Sequence, residues 1–305
     1  MAELNSTNNA VWIPTEIIAN QTLGALGAYL NLGRTVTKDS ELTTQQVGAT
    51  ISVPKRGAVT SNSLAENGSV NVQSTTGTDV QVTLTNHQEV TISELDYTRS
   101  LQPGSVLPGY LEDGILALAE DIESALAALW SGAAFNNDAA SGGVAATILD
   151  DFIGMQKGLF DRRVPVLAKR YAYVSTGVHA AAQKAEAFID PKLIPNNNAL
   201  TEGTVGRISG FDVFAGQLVV KSGSPGVYRN LFYTKNAMVL ATRPQPLPDP
   251  GLGAVGSNVI DGNGIAMQVV KSYNASKLAN QFTVHVVFGV ATLDNRQFGV
   301  LDSTV

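Results

Sequence analysis

Apolar residues recur at three- and four-residue steps from Leu107 to Ser131, through Leu111, Ile115, Leu118, Ile122, Ala125, Leu126 and Leu129. This stripe predicts one long amphipathic helix. At about 1.5 Å per residue it would run roughly 38 Å. Pro108 suits its first turn, and Glu112 and Asp113 suit the positive end of its dipole. The run Asn136-Asn137-Asp138 and Ser141-Gly142-Gly143 then breaks the pattern and places a subdomain boundary near residue 140. A second helix is expected through Ile148, Phe152, Met155 and Leu159.

Strict alternation of apolar and polar positions marks Ala49 to Val53, Val80 to Thr85 and Val90-Thr91-Ile92-Ser93 as half-exposed antiparallel ribbon strands. Between the first two, Lys55 to Asp79 holds Gly57, Gly68 and Gly77 among Ser, Thr and Asn, with few large apolar residues. A segment of that kind cannot bury a core of its own, so a projecting hairpin ordered by a neighbouring subunit is expected. Upstream, Ile17, Ile18, Leu23, Leu26, Tyr29 and Leu30 keep roughly helical spacing while Gly24, Gly27 and Gly33 weaken it, as in a partly helical docking arm.

Beyond the second helix, Tyr171 to Ser175 reads as a buried strand. Gly177 leads into an alanine-rich helix over Val178 to Phe188, closed by Asp190-Pro191. Strands at Phe211 to Phe214, Leu231 to Tyr233 and Ala237 to Leu240 give this middle region a mixed sheet flanked by helices, an α+β or α/β arrangement. The proline-rich run Arg243 to Gly251 is an extended connector. Strands at Ile265 to Val270 and Phe282 to Val290 follow, the latter with Phe282, Val284, Val286, Phe288 and Val290 on one face. They are expected to pair with the ribbon strands and pack on the long helix.

Composition narrows the function classes. With 44% apolar residues the 305-residue chain can build a real core, and without a charged or low-complexity linker it suits two closely joined subdomains. Charged residues make up only 15%, below the usual fraction of about a quarter, which fits burial of much surface against further copies. No cysteine is present, which excludes disulfides, thiolate metal sites and a thiol nucleophile. The polar start Met1 to Ala10 lacks the basic opening and apolar core of a secretory signal. Glu120, Asp121 and Glu123 disqualify the most apolar stretch as a membrane span, so no membrane partner is expected. A net charge of -6 argues against a dedicated nucleic-acid-binding domain, though not against enclosing DNA.

Gly206-Arg207-Ile208-Ser209-Gly210-Phe211-Asp212-Val213-Phe214, followed by Leu231 to Arg243, resembles the axial-domain signature of tailed-phage major capsid proteins. Val82 to Val90 leading to the long helix, and Leu278 through Phe288-Gly289-Val290, extend the resemblance over nearly the whole chain. It implies the Hong Kong-type capsid fold of class α+β. The expected parts are an N-terminal arm (1–44), an extended β-hairpin loop with its strands (45–95), a peripheral domain with the spine helix (96–140 and 245–305), and an axial domain with a mixed sheet and flanking helices (141–244).

The function so implied is a non-enzymatic coat protein, without cofactors. It would assemble with itself as pentamers and hexamers into the icosahedral head around double-stranded DNA, without sequence-specific binding, in the cytoplasm of a bacterial host. Portal, scaffolding and decoration proteins would be its other partners. An encapsulin-like nanocompartment shell around protein cargo is the nearest alternative, ahead of a hydrolase using Asp150, Asp151 and His179 or a monomeric adhesin-like module.

Other motifs carry little chemistry. Gly251, Gly253 and Gly256 have dinucleotide-fingerprint spacing, but prolines precede them and no helix is expected after them. Ser52 and Lys55 lie on a strand without the companion motifs of serine-lysine enzymes. His87, His179 and His285 are expected in unrelated places, and Asp150-Asp151 and Glu120-Asp121-Glu123 on solvated helix faces. The candidate intersubunit residues are Lys55, Arg56 and Glu66, because a loop without its own core must find ion-pair partners outside its subunit.

Overall fold

The computed structural model describes residues 30–39, 50–55, 59–64, 66–73, 77–97, 107–137, 147–185, 206–223, 226–243, 245–249, 254–260 and 265–304. In chain order they begin with helix α1 (Leu32–Thr35), strands β1 (Thr37–Asp39), β2 (Thr50–Lys55), β3 (Thr78–Thr83) and β4 (Asn86–Leu95), and the long helix α2 (Leu107–Ala127). A 3-10 turn (Ala128–Gly132), β5 (Phe135–Asn137), helix α3 (Ile148–Asp161), β6 (Arg170–Ser175), α4 (Thr176–Lys184), β7 (Arg207–Ile208) and β8 (Phe211–Gly216) follow. The chain ends with β9 (Lys221–Ser222), β10 (Val227–Thr234), β11 (Met238–Arg243), β12 (Ala254–Ile260), β13 (Ala266–Asn274), β14 (Ala279–Thr292) and β15 (Phe298–Ser303). Residues 1–29 and 40–44 of the expected arm and the last residues of the expected helix 178–188 lie outside the described residues.

Among the described residues, β14 organises a six-stranded sheet. Along one edge it pairs antiparallel with β4, from Ala279↔Leu95 to Phe288↔Asn86. Along the other it takes β13 over its first half (Asn274↔Ala279 to Gln268↔His285) and β11 over its second (Arg243↔Val287 to Met238↔Thr292). The expected face of Phe282, Val284, Val286 and Phe288 is buried, and the stripe of α2, from Ile115 through Leu118 and Ile122 to Leu126, packs in the same core. The opposite face carries Val239 and Ala241, which cluster with Val53 and Val82 from the root of the β2–β3 hairpin.

The seven-stranded sheet runs β5-β15-β10-β6-β8-β7, with β9 on β10. Its strands bury both faces. Leu231, Tyr233, Tyr173, Phe298 and Val300 point into the core shared with α2, while Phe232, Ala172, Val174, Phe211 and Leu301 pack against Phe152, Met155 and Leu159 of α3 and Val178 of α4. Ser175 ends β6 and also caps α4, its hydroxyl accepting from the Val178 N–H at 3.2 Å. The β10–β6 ladder stops at Leu231↔Tyr173. The buried Asn230 side chain continues it, accepting from Ser175 N–H at 2.6 Å and donating to Leu301 O at 2.9 Å.

Two strand assignments differ from the sequence expectation. β11 joins β14 and β1, not the sheet of β6, β8 and β10, and the unforeseen strand β15 enters that sheet between β5 and β10. Alternation tells which residues of a strand are buried but not against which partner, so this exchange has no local signal. The dipole reading of α2 is also corrected, since its first turn holds no acidic residue.

Gly289 sits where β3 crosses β14, and a Cβ there would stand 2.4 Å from the Thr83 carbonyl oxygen. A Gly289→Val variant should lose about 1–3 kcal/mol of stability, while Gly77→Ala should stay within about 0.5 kcal/mol. Among the described residues Gly77 meets nothing closer than Lys55 O at 3.6 Å. Urea unfolding of the two variants beside the parent checks this.

Candidate assembly surface

The hairpin leaves the body at β2 and β3, paired from Thr50↔Thr83 to Lys55↔Thr78. Beyond it the described loop residues are almost all exposed, including Val59, Leu64, Val70 and, at 88% exposure, Val72. A hydrogen bond from Thr60 N–H to Gln73 Oε1 at 2.9 Å ties the two arms of this loop. Four apolar side chains thus stand in solvent on a segment that has no core of its own among the described residues.

The root of the hairpin is pinned electrostatically. Lys55 Nζ lies 3.3 Å from Asp294 Oδ1, and Asp294 also accepts from Arg296 and from Gln297 Nε2 at 3.0 Å. Burial alone would raise the Asp294 pKa; the hydrogen bonds from Arg296, Gln297 and Lys55 outweigh it and hold the carboxyl at about 2. Lys55 is thus engaged within its own chain. Of the other two candidate contact residues, Glu66 is exposed on a turn of the loop and Arg56 lies outside the described residues.

A second joint ties residues 31–35, within the expected arm, to α2. Glu123 is buried, contrary to the expected solvated face, although Glu120 and Asp121 are exposed. Its Oε1 accepts from Gly33 N–H at 3.1 Å, so a carboxylate from the spine serves the start of α1, where Asn31 offers no side-chain cap. Its other oxygen is buried and has no hydrogen-bond partner among the described residues. Burial raises the Glu123 pKa above its ordinary 4.5, against the opposing bonds from Gly33, Leu32 and Asn31. Next to this joint the Thr35 hydroxyl meets Tyr233 OH, and burial pushes that phenol upward as well. The signal for Glu123 was present in the sequence: it stands one turn from both Ala119 and Ala127, on the buried stripe.

Of the three histidines expected in unrelated places, two are brought together. Pairing of β4 with β14 brings His87 Nε2 within 3.4 Å of His285 Nδ1, with their ring centroids 5.4 Å apart. Burial, then the His87 neighbour, lowers the His285 pKa, and Glu89 partly opposes them. His179 sits apart on α4, its pKa lowered by burial. Asp150 is exposed, whereas Asp151 is buried and accepts from Thr147 Oγ1 at 3.2 Å in the first turn of α3, correcting its solvated assignment.

Among the described residues no group of three or more His, Asp or Glu is placed to hold a metal, and no helix is long and apolar enough to cross a membrane. Gly256, of the dinucleotide-like spacing, lies in strand β12, against Pro248.

Neither the protein-family models nor the curated protein sequences match the chain. Solved structures do match its fold. A structure from Mycobacterium phage Che8 aligns over 90% of this chain and 90% of its own, with a TM-score of 0.63 and 14% identity. The capsid of cyanophage P-SCSP1u aligns over 88% and 86%, with a TM-score of 0.62 and 11% identity. The capsid of an empty GTA particle, computed with C5 symmetry, aligns over 91% and 90%, with a TM-score of 0.58 and 12% identity. The chain has the Hong Kong-type fold of phage capsid proteins, of class α+β as expected.

The two joints respond oppositely to pH. Because the folded pKa of Glu123 is raised, its contribution is fullest below about 4.5 and is lost as pH rises through the folded value; Glu123→Gln should flatten that part of the stability profile. Asp294 has a depressed pKa, so its contribution is present above 3.8 and lost as pH falls through about 2. Asp294→Asn should therefore lower stability at neutral pH, with the deficit closing in acid. Urea midpoints measured across the acid and neutral range check both slopes.

Proposed function

We propose that the chain is the major capsid protein of a tailed phage, a non-enzymatic shell subunit that assembles as pentamers and hexamers into an icosahedral head around double-stranded DNA. The observation that carries this reading is the capsid fold over roughly nine-tenths of the chain, joined to a hairpin whose described apolar side chains stand exposed.

In this reading residues 1–44 are the arm, 45–95 the extended loop, 96–140 with 245–305 the peripheral domain and 141–244 the axial domain. The exchange of β11 and β15 between sheets crosses that division. The loop of each subunit, with Lys55, Arg56 and Glu66 near its root and turn, reaches a neighbour. Overlapping contacts of this kind make dissociation require the loss of several interfaces together. Portal, scaffolding and decoration proteins complete the head, which forms in the host cytoplasm.

The protein expressed alone and with its neighbouring genes should give closed shells or capsomer rings by gel filtration and electron microscopy. Native particles should hold nucleic acid. Protein cargo in its place would favour the nanocompartment, and a persistent monomer under both conditions would overturn the shell reading. Removal of residues 57–76, the loop beyond the pairing of Lys55 with Thr78, should leave a folded subunit and reduce assembly at least about tenfold, the effect of losing roughly 1.4 kcal/mol per contact.

A further inference from the structure

One corner of the seven-stranded sheet gathers positive charge. Parallel pairing sets Arg170 at the start of β6 beside Phe211 of β8, and Arg207 of β7 pairs with Asp212 of β8. Arg163 and Lys169 stand exposed on the turn that leads into β6. The nearby carboxylates are engaged, Asp161 with Lys157 at 3.8 Å and Asp212 with Arg207 at 3.6 Å. Arg170 is only 3% exposed, its guanidinium lies 4.4 Å from the Phe160 ring centre, and its buried Nε has no hydrogen-bond partner among the described residues. Burial, and then the Arg207 charge, lower its pKa, an arrangement that an added carboxylate would relieve.

The corner is also shaped in advance. Arg163 (φ 58) and Ser209 (φ 46) hold left-handed backbone that non-glycine residues seldom adopt. Beside them Val166 and Leu167 stand 72% and 98% exposed.

The same chain carries a surface of opposite sign. Helix α2 contains no Lys or Arg between Leu107 and Ala127. Asp113, then Leu116 and Ala117, then Glu120 and Asp121 lie along its exposed side, each set three or four residues beyond the one before.

We propose that the basic corner of one subunit docks on the exposed acidic face of α2 in a second copy of this chain. Arg163 and Lys169 then meet Asp113, Glu120 and Asp121, and Val166 and Leu167 cover Leu116 and Ala117. Two different surfaces meeting in this way make a head-to-tail contact, the kind that closes into rings. The inference rests on the shell reading above and names a contact for it that is separate from the hairpin.

The test uses charge reversal in the full chain. Arg163→Asp with Lys169→Glu at the corner, or Asp113→Lys with Asp121→Lys on α2, should each lower the assembled fraction at least about tenfold, and the four changes together should restore it. Aspartate is chosen at position 163 because it tolerates left-handed backbone. As a second measurement, which needs no variant to fold, carbodiimide treatment of parent shells should join Lys169 to a carboxylate of α2. Shells that form equally well from the parent and both reversal variants, with no such crosslink, overturn the contact alone. A parent that stays monomeric overturns the shell reading and the contact with it. Corner variants that keep full shell yield but lose enclosed nucleic acid assign the corner to phosphate and also overturn it.

Discussion

The backbone amides and carbonyls of a strand inside a sheet must all find partners, and β14 meets that demand on two edges at once. One edge is filled by β4, which delivers the chain from the hairpin towards α2, and the other by β13 and β11 in succession. The core face of the same strand supports the spine helix, and Gly289 lets the hairpin root cross its back. Loop, spine and the crossing to the other sheet are therefore positioned by one segment of backbone. The long run of Phe282, Val284, Val286 and Phe288 is the sequence requirement that keeps it in place.

With few charges available, this chain places several of them at joints. Asp294 gathers Lys55, Arg296 and Gln297 where the hairpin meets the body. Glu123 holds the start of α1. Asp302 pairs with Arg229 and accepts from Asn136 at 2.7 Å, linking β15, β10 and β5. Buried ionic groups of this kind add little net stability because desolvation offsets attraction, but removal of one partner strands the other. Their value is geometric, since they admit one seating of each attached segment and penalise the alternatives.

Much of this was legible from periodicity. The stripe of α2, the buried positions of α3 and the alternating face of β14 lie where spacing puts them, because each reports a local match between repeat and solvent. What stayed hidden depends on residues far apart in sequence. The exchange of β11 and β15 and the meeting of His87 with His285 require a register that no single strand encodes. Glu123 was misread for another reason: its type outweighed its position on the stripe. The hairpin was legible as a segment unable to bury itself, but the Asp294 cluster at its root was not, because Asp294 and Lys55 are 239 residues apart in sequence.

The core that contains α2 takes side chains from both large sheets, Val284 and Phe288 from one and Tyr233, Phe298 and Val300 from the other. Close-packed interiors resist deformation, so a hinge between the sheets would have to open this shared interior. In the proposed shell the chain would then be a stiff tile, and any difference in curvature between neighbouring positions would be absorbed at its margins, by segments with little core of their own, much as flexible grout lets rigid tiles cover a dome.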